Sequence, residues 1–151
     1  IDFLKFIEQK IENKDSIKLN IFNSDNNFNF KNYRGVVSPY VDKSKGILPY
    51  KYYFMVENNY EDDFITEKIW EPILCESLCF YYGCPNIDKY VDMDAFVLLD
   101  MNDFEKSYAI IKKAIEEDWW SKRIESIRAQ KDKFLKKMGF FPRLESFINT
   151  L

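Results

Sequence analysis

The sequence predicts an α/β fold in which a parallel sheet is flanked by helices. Apolar, strand-like runs alternate with helical patterns at intervals of roughly 10 to 15 residues, which is the rhythm of parallel α/β folds. The two clearest runs, within residues 50–59 and 78–82, are rich in aromatic side chains and indicate buried strands. No repeat or low-complexity tract interrupts this order, so we expect residues 1–151 to form one domain.

The first third of the chain predicts a helix, a strand and a long loop. Apolar side chains at helical spacing predict a helix over residues 1–13, with Phe3 at the edge of its apolar face. Alternation of apolar and polar residues predicts a strand over residues 16–23. The polar, turn-rich segment 25–44 is expected to be a loop that leaves room for a short strand at residues 36–37.

The middle of the chain predicts a strand, a loop and a helix. The strand within residues 50–59 breaks into polar residues, and Thr66 then has the position and side chain of a helix N-cap. Glu67 places a carboxylate in the first turn, where the helix dipole favours it. Lys68 in the same turn opposes the dipole, so its position is best explained by an anion, such as a phosphate, bound beside it.

Two further strands follow. Residues 78–82 predict a buried strand that ends in the tight turn 83–86, and residues 87–91 predict a helical turn. Residues 95–99 predict another buried strand, which ends at Asp100. Because ligands of parallel sheets bind outside the carboxyl ends of the strands, we expect the binding site at this rim.

The last third of the chain predicts helices alone. Helical spacing begins at Asp103, and either Asn102 or Asp103 is the candidate N-cap. A second helix is expected over residues 119–137, with Gly139 as its stop, and a short helix from Pro142 to the end of the chain.

The composition limits the range of functions. A net charge of −3 without a basic block argues against nucleic acid as the main partner. No run of about 18 apolar residues is present, so we expect no membrane-spanning helix. The chain has no His, which removes Ser-His, Cys-His and His-metal catalysis and leaves carboxylates, Lys, Tyr or Cys as acid or base. Since the sequence starts at Ile1, directly on a helical pattern, we expect a fragment of a longer chain.

Three cysteines lie in apolar surroundings: Cys75, Cys79 and Cys84. Their spacing is not that of a zinc ribbon or finger, and no His is available as a further ligand. We therefore expect buried, unpaired thiols and a reducing compartment such as the cytoplasm.

Three short motifs carry a resemblance to a known family. They are Tyr50-Lys51-Tyr52 with Val56-Glu57-Asn58, Phe64-Ile65-Thr66-Glu67-Lys68, and Tyr82-Gly83-Cys84-Pro85-Asn86. Their order and spacing resemble the signature of the glycosyltransferase family 10 fucosyltransferases. In that family an aromatic strand ends in Phe-Glu-Asn, a loop leads to Tyr-Val/Ile-Thr-Glu-Lys, and a later strand ends in a Gly-x-Pro turn. Val56 replaces the usual Phe and Phe64 the usual Tyr, so any hydroxyl contact from residue 64 is lost.

The resemblance implies a Rossmann-like domain that forms the C-terminal half of a GT-B type glycosyltransferase. It implies binding of GDP-fucose and inverting transfer of the sugar to a glycan hydroxyl, without a metal ion or other cofactor. The family's catalytic base is a carboxylate in an N-terminal acceptor domain outside this chain, so we leave the base unassigned. Two alternatives remain: a glycosyltransferase with a different sugar nucleotide, and a nucleotide-sugar-binding or interaction module without turnover.

The resemblance also implies roles for residues at the rim. Glu67 would accept hydrogen bonds from the ribose, Lys68 would contact the diphosphate, and Asn58 would fix the neighbouring loop or a phosphate. Each has a simpler interpretation, as a helix-start carboxylate, a solvated lysine and a turn residue respectively. The candidate donor-binding residues are Glu57, Asn58, Phe64, Thr66, Glu67, Lys68, Gly83, Pro85, Asn86 and Arg34. Arg34 is included as a phosphate contact, although an arginine in a polar loop is usually solvated.

One further motif has a known metal-binding form. Asp92-Met93-Asp94 has the Asp-x-Asp spacing by which another class of glycosyltransferases holds Mn²⁺ and a nucleotide. The motif lies in a turn-like segment before a strand, and two aspartates this close are common by chance. We therefore favour a solvated turn and expect no metal site.

Overall fold

The computed structural model describes residues 1–13, 17–37 and 43–150 of the 151-residue chain. Helices and strands alternate along it as the sequence predicts. In chain order they are α1 (Asp2–Glu12), β1 (Ile21–Phe22), β2 (Tyr33–Gly35), a 3₁₀ turn (Lys43–Gly46), β3 (Tyr52–Val56), α2 (Glu67–Leu74), β4 (Leu78–Tyr82), a second 3₁₀ turn (Ile87–Lys89), β5 (Phe96–Leu98), α3 (Phe104–Glu116), α4 (Trp119–Lys133), a π-helical turn (Phe134–Met138) and α5 (Phe140–Ile148).

The strands of the described residues form two parallel sheets. Strands β3, β4 and β5 lie side by side in that order, with Tyr52 opposite Leu78 and Cys79 opposite Phe96. Strands β1 and β2 pair separately. The central strand β4 is buried over most of its length, as its apolar sequence requires. The predicted parallel α/β class is therefore confirmed.

The first strands differ from the prediction. The strand expected over residues 16–23 forms only at Ile21–Phe22, and residue 16 lies outside the described residues. Its partner is the three-residue strand Tyr33–Gly35, rather than a strand at residues 36–37. Because this partner is short, β1 is short as well. Alternation shows which side chains are half-buried, but the length of a strand is set by its partner.

The helices at the C-terminus also differ in detail. Helix α4 ends at Lys133, and a π-helical turn carries the chain on to Met138 before Gly139 ends it as expected. Helix α5 begins at Phe140, two residues before the expected start at Pro142. Pro142 therefore lies in the first turn, where a missing N–H group costs no helical hydrogen bond.

The hydrophobic core lies between the three-stranded sheet and its helices. Phe3 is only 3% exposed, and its ring lies 5.3 Å from that of Phe54 and 5.1 Å from that of Phe104. It is thus a core residue that joins α1 to β3 and α3, and the expectation that it lies at the edge of the helix face is wrong. Burial of such a ring contributes roughly 1.5 to 3 kcal/mol.

The parallel arrangement brings the ends of three strands to one edge of the sheet. The N–H of Glu57 donates to the Tyr82 carbonyl, and the N–H of Leu99 donates to the Tyr81 carbonyl, both at 2.9 Å. The residues after β3, β4 and β5 therefore share one rim. Among the helices within residues 1–13, 17–37 and 43–150, none combines the length and the apolar character needed to cross a membrane.

Candidate functional site

The centre of the rim is a buried carboxylate. Glu57 directly follows β3, and its side chain is fully shielded from solvent. Its two oxygens accept hydrogen bonds from the Thr66 N–H at 3.0 Å, the Thr66 hydroxyl at 2.7 Å and the Tyr81 hydroxyl at 3.3 Å. Since a buried charge is tolerated only when it is paired and hydrogen-bonded, these contacts fix the start of α2 against the end of β3.

Lys68 supplies the opposite charge. Its ammonium lies 3.4 Å from Glu57 Oε2, 3.7 Å from Glu67 Oε1 and 3.3 Å from Thr66 Oγ1. From the sequence alone, a cation in this first turn is best explained by a bound anion. The structure adds a counter-charge within the protein, because the buried carboxylate of Glu57 lies beside Lys68, and contact with a diphosphate stays a prediction. The Lys68 side chain keeps 20% of its surface exposed, so a ligand can still reach it.

The first turn of α2 has the predicted cap. Thr66 is extended at φ −113° and ψ −171°, and its hydroxyl oxygen accepts from the Lys68 N–H at 3.4 Å. Glu67 stays 57% exposed beside this cap. A hydrogen bond from its own main chain lowers the pKa of Glu67, and the nearby Lys68 and Lys43 ammonium groups lower it further. Glu67 is thus an accessible, ionised acceptor at neutral pH.

Gly83 is required by close packing at the end of β4. A Cβ atom at this position would lie 2.4 Å from Glu57 Cγ and 2.6 Å from the Tyr81 hydroxyl oxygen. That hydroxyl accepts from the Cys84 N–H at 3.2 Å while it donates to Glu57, and burial raises the pKa of Tyr81. The glycine of the Gly-x-Pro turn therefore makes room for the buried carboxylate.

Three side chains hold the loop before α2 to the turn after β4, and we call them the loop clasp: Asp63, Asn86 and Tyr90. Asn86 Oδ1 accepts from the Asp63 N–H at 2.9 Å, and Asn86 Nδ2 donates to Asp63 Oδ1 at 2.9 Å. The Tyr90 hydroxyl donates to the same oxygen at 2.6 Å. Asp63 has a left-handed backbone with φ of 63°, which a short polar side chain tolerates. The hydrogen bonds from Tyr90 and then Asn86 lower the pKa of Asp63.

The chain matches the model of a known protein family. The model of glycosyltransferase family 10 (fucosyltransferase), C-terminal region, matches residues 11–118. The chain belongs to this family. The matched region contains the whole rim, from Glu57 to Asp100, and ends just before α4, so α4 and α5 lie outside it.

Family relatives are known from several animals. The chain is 32% identical over 80 residues to GDP-fucose protein O-fucosyltransferase 3 of Danio rerio, a match that covers 52% of this chain and 18% of that protein. It is 30% identical over 63 residues to alpha-(1,3)-fucosyltransferase B of Drosophila melanogaster, covering 42% of this chain and 14% of that one. The chain thus spans less than a fifth of these curated relatives.

Two solved structures of alpha1,3-fucosyltransferase show the same fold. One superimposes with a TM-score of 0.52 at 20% identity and covers 63% of this chain and 30% of that chain. The other, solved with GDP, gives a TM-score of 0.51 at 18% identity and covers 71% of this chain and 37% of that chain. The Rossmann-like fold expected for a fucosyltransferase C-terminal half is therefore confirmed.

The fold brings together most of the predicted site residues of this family 10 domain. Glu57, Thr66 and Lys68 are in direct contact, Glu67 lies beside Lys68, and Gly83 packs on Glu57. Four further predicted residues lie in the loops that follow β3 and β4. Asn58 and Pro85 are exposed, and Phe64 and Asn86 are half-buried.

Arg34 lies apart from this group. It is an exposed residue of β2, in the second sheet, and its Nε donates to Asn20 Oδ1 at 2.8 Å. Asp63, Tyr81 and Tyr90, in contrast, belong to the rim but are absent from the predicted set. Tyr81 lies among the three consecutive aromatic residues that end β4, and Asp63 lies within an acidic run, so no pattern in the sequence distinguishes these two residues.

The Asp-x-Asp motif forms the turn that the sequence favours. Asp92 Oδ1 accepts from the Asp94 N–H at 2.9 Å, and both residues are exposed. Within residues 1–13, 17–37 and 43–150, His, Cys, Asp and Glu side chains form no group of three or more that could hold a metal ion.

The cysteines follow the prediction with one exception. All three carry free thiols, and Cys79 and Cys84 are buried. Cys75 is only half-buried at the C-terminal end of α2, so the expectation that it is fully buried is wrong. Apolar neighbours in the sequence indicate that a residue lies on the core-facing side of a helix. They do not indicate how much of the last helical turn is covered by the neighbouring helix.

Proposed function

We propose that this chain is the donor-binding domain of a fucosyltransferase and that it binds GDP-fucose at the rim. The observation that carries the proposal is the first turn of α2, where Glu67 and Lys68 are held at the carboxyl edge of the sheet by the buried Glu57. Membership of a fucosyltransferase family makes a GDP-sugar the donor that best suits this turn.

Each group in this turn suits one part of the donor. The exposed carboxylate of Glu67 can accept hydrogen bonds from the two ribose hydroxyls. Lys68 and the main-chain N–H groups at the start of α2 can contact the diphosphate, whose negative charge grows as the sugar leaves. A hydroxyl of the acceptor would attack the anomeric carbon from the opposite side, which gives inversion.

The charge of the turn limits what Lys68 can do alone. Its single positive charge already lies beside the carboxylates of Glu57 and Glu67, so the local sum is −1 before a ligand binds. Neutralising a diphosphate therefore requires further cations, and we infer that they come from Arg34 or from an N-terminal acceptor domain that also supplies the catalytic base. We expect no metal ion to be needed for this step.

The compartment is a further part of the proposal. Cys75, Cys79 and Cys84 are unpaired, and Cys84 donates its thiol proton to Asn86 at the rim. Free thiols in such positions suit a reducing compartment such as the cytoplasm. Fractionation of cells that express the tagged protein would test this inference.

The proposal is tested by titrating the purified chain with GDP-fucose, GDP-mannose, UDP-galactose, GDP and guanosine in a calorimeter. We expect GDP-containing ligands to bind best and to raise the melting temperature, with no reversal by EDTA. Lys68→Ala should weaken GDP binding by about tenfold or more and leave guanosine binding unchanged. Lys122→Ala is the matched control, since Lys122 is a 61% exposed lysine of α4 with a weak ion pair at 4.0 Å. A preference for UDP-galactose, or a strict need for Mn²⁺, would overturn the proposal.

A further inference from the structure

Helix α5 carries an apolar face that the described residues leave uncovered. Its large apolar side chains follow helical spacing, so they share one side of the helix, with Arg143 and Glu145 at the two borders of that side. They are between 42% and 79% exposed, and no residue of Phe140–Ile148 is buried. We call these five side chains the α5 face: Phe140, Phe141, Leu144, Phe147 and Ile148. An exposed apolar patch of this kind marks a surface that contacts another molecule or a membrane.

The helix is attached to the rest of the domain through the turn that precedes it. Helix α5 packs chiefly against the π-helical turn Phe134–Met138. The ring of Phe134 stacks on that of Trp70 in α2, with the ring centroids 4.5 Å apart, and the Phe134 carbonyl accepts from the Gly139 N–H at 2.8 Å. These contacts hold the start of α5 in place and leave the α5 face open.

The surroundings of the α5 face are positively charged. Residues 131–150 contain five basic and two acidic residues, a net charge of +3, whereas the whole chain carries −3. The rest of the chain therefore carries −6, so positive charge is concentrated at this end of the sequence. Four of the five basic residues are exposed: Lys133, Lys136, Lys137 and Arg143.

This combination favours an anionic lipid surface over a second copy of the chain. Pairing of two α5 faces would bring together two segments that each carry +3, and repulsion between like charges opposes such a contact. A bilayer with anionic headgroups has the opposite charge. Helices with Phe and Leu on one side and Lys and Arg around them lie in the interface of such bilayers, where the apolar side chains enter and the cations stay among the headgroups.

We propose that α5 and the π-helical turn before it form a site that binds the surface of membranes containing anionic phospholipids. The α5 face would enter the boundary between headgroups and acyl chains, and Lys136, Lys137 and Arg143 would contact lipid phosphates. The proposal is independent of the proposed function, because none of these residues belongs to the rim.

Co-sedimentation of the 151-residue chain with lipid vesicles tests the proposal. The vesicles consist of phosphatidylcholine alone or of phosphatidylcholine mixed with phosphatidylglycerol. We expect the chain to bind the mixed vesicles at least about tenfold more tightly, and the binding to weaken as the salt concentration rises. The paired variant Phe140→Ser/Phe141→Ser should weaken binding by about tenfold or more, because two apolar rings no longer enter the bilayer. Lys136→Gln/Lys137→Gln should weaken it by roughly tenfold, because two cations near the headgroups are lost.

Two variants outside this surface are the controls. Phe28→Ser removes a phenylalanine that is 43% exposed, and Lys122→Gln removes a lysine of α4 whose side chain is 61% exposed. Both should bind vesicles like the unmodified chain. Thermal unfolding of all variants separates lost binding from lost folding. Since the replaced side chains of the α5 face are exposed, we expect melting temperatures close to that of the unmodified chain.

Three vesicle results would overturn the proposal. They are no binding to the mixed vesicles, equal binding to both kinds of vesicle, and binding that neither paired variant weakens. Light scattering tests the alternative occupant of the surface. A dimer of the unmodified chain that dissociates in Phe140→Ser/Phe141→Ser would assign the α5 face to a second copy and would also overturn the proposal.

Discussion

Lys68 Nζ lies 3.4 Å from Oε2 of Glu57, a carboxylate with no exposed surface, and it is the one of the pair that still contacts solvent. The pair joins the end of β3 to the first turn of α2. Because the ammonium is partly exposed, it can balance the buried charge and remain within reach of a ligand. The same side chain thus has a structural task and a proposed binding task, and mutations must separate them.

Replacement of Lys68 by Ala should destabilise the ligand-free chain. Loss of the ammonium leaves Glu57 buried without a counter-charge, although its three hydrogen bonds remain, so we expect a cost of about 1 to 3 kcal/mol. Urea unfolding of the wild-type chain and the variant measures this difference in the free energy of unfolding. In a Glu57→Gln background the same replacement should cost clearly less, because no buried charge is left to balance. Equal costs in both backgrounds would show that Lys68 does not act through Glu57.

Replacement of Gly83 by Ala should disturb the rim from the side of β4. The new methyl group would lie 2.4 Å from Glu57 Cγ, which forces either the carboxylate or the turn to move. We expect a loss of about 1 to 3 kcal/mol in the free energy of unfolding. Gly139→Ala is the control, since the nearest atom there lies at 3.4 Å and φ is an ordinary −65°, and it should cost less than about 1 kcal/mol. A Gly83→Ala variant as stable as the Gly139→Ala variant would contradict the packing.

The thiols should react in a definite order. Cys79 and Cys84 are no more than 1% exposed, whereas Cys75 is half-buried. Burial raises the pKa of both Cys75 and Cys79, so even Cys75 should react slowly near neutral pH. Labelling with iodoacetamide and peptide mass spectrometry should find Cys75 modified first in the native chain and the other two only in denaturant. Native labelling of Cys79 before Cys75 would contradict the placement of β4.

The loop clasp should weaken in acid. The pKa of Asp63 is lowered from its ordinary value of 3.8, first by the hydrogen bond from Tyr90. A lowered pKa in the folded state means that ionised Asp63 stabilises the fold above about pH 3.8, and that this contribution is lost as the pH falls through the lowered value. Carboxyl-carbon NMR should show the pKa of Asp63 rising towards 3.8 in Tyr90→Phe. An identical titration in both proteins would mean that the Tyr90 hydroxyl does not hold Asp63.

Local patterns were enough to predict the central elements. The uninterrupted apolar run at Leu78–Tyr82 and the Thr66 cap each specify a structure through neighbours in sequence, and both form where expected. The rim followed from them, since parallel strands bring their carboxyl ends to one edge.

Contacts between distant residues were not predictable in the same way. Glu57 follows β3, and from the sequence its side chain could equally have faced solvent. The fold brings it into hydrogen-bond contact with Thr66 and Tyr81. The interpretation of Lys68 from the sequence therefore lacked Glu57 as a counter-charge. Glu57 lies eleven residues earlier in the chain, outside the spacing of three or four residues that joins side chains on a helix.

The separation of the two sheets has a consequence for how the molecule opens. The first ladder is held by few bonds, including Ile21 N–H to Asn32 O at 3.0 Å and Asn23 N–H to Gly35 O at 3.4 Å, whereas β4 is paired on both sides. Amide hydrogen exchange should therefore occur in two tiers, with Ile21 and Asn23 exchanging through partial opening and the centre of β4 only through global unfolding. At the rim, the Glu57 and Leu99 N–H groups bond to carbonyls of β4. We therefore expect these amides to exchange with the slow tier, and the proposed donor site to stay assembled while the sheet that carries Arg34 opens.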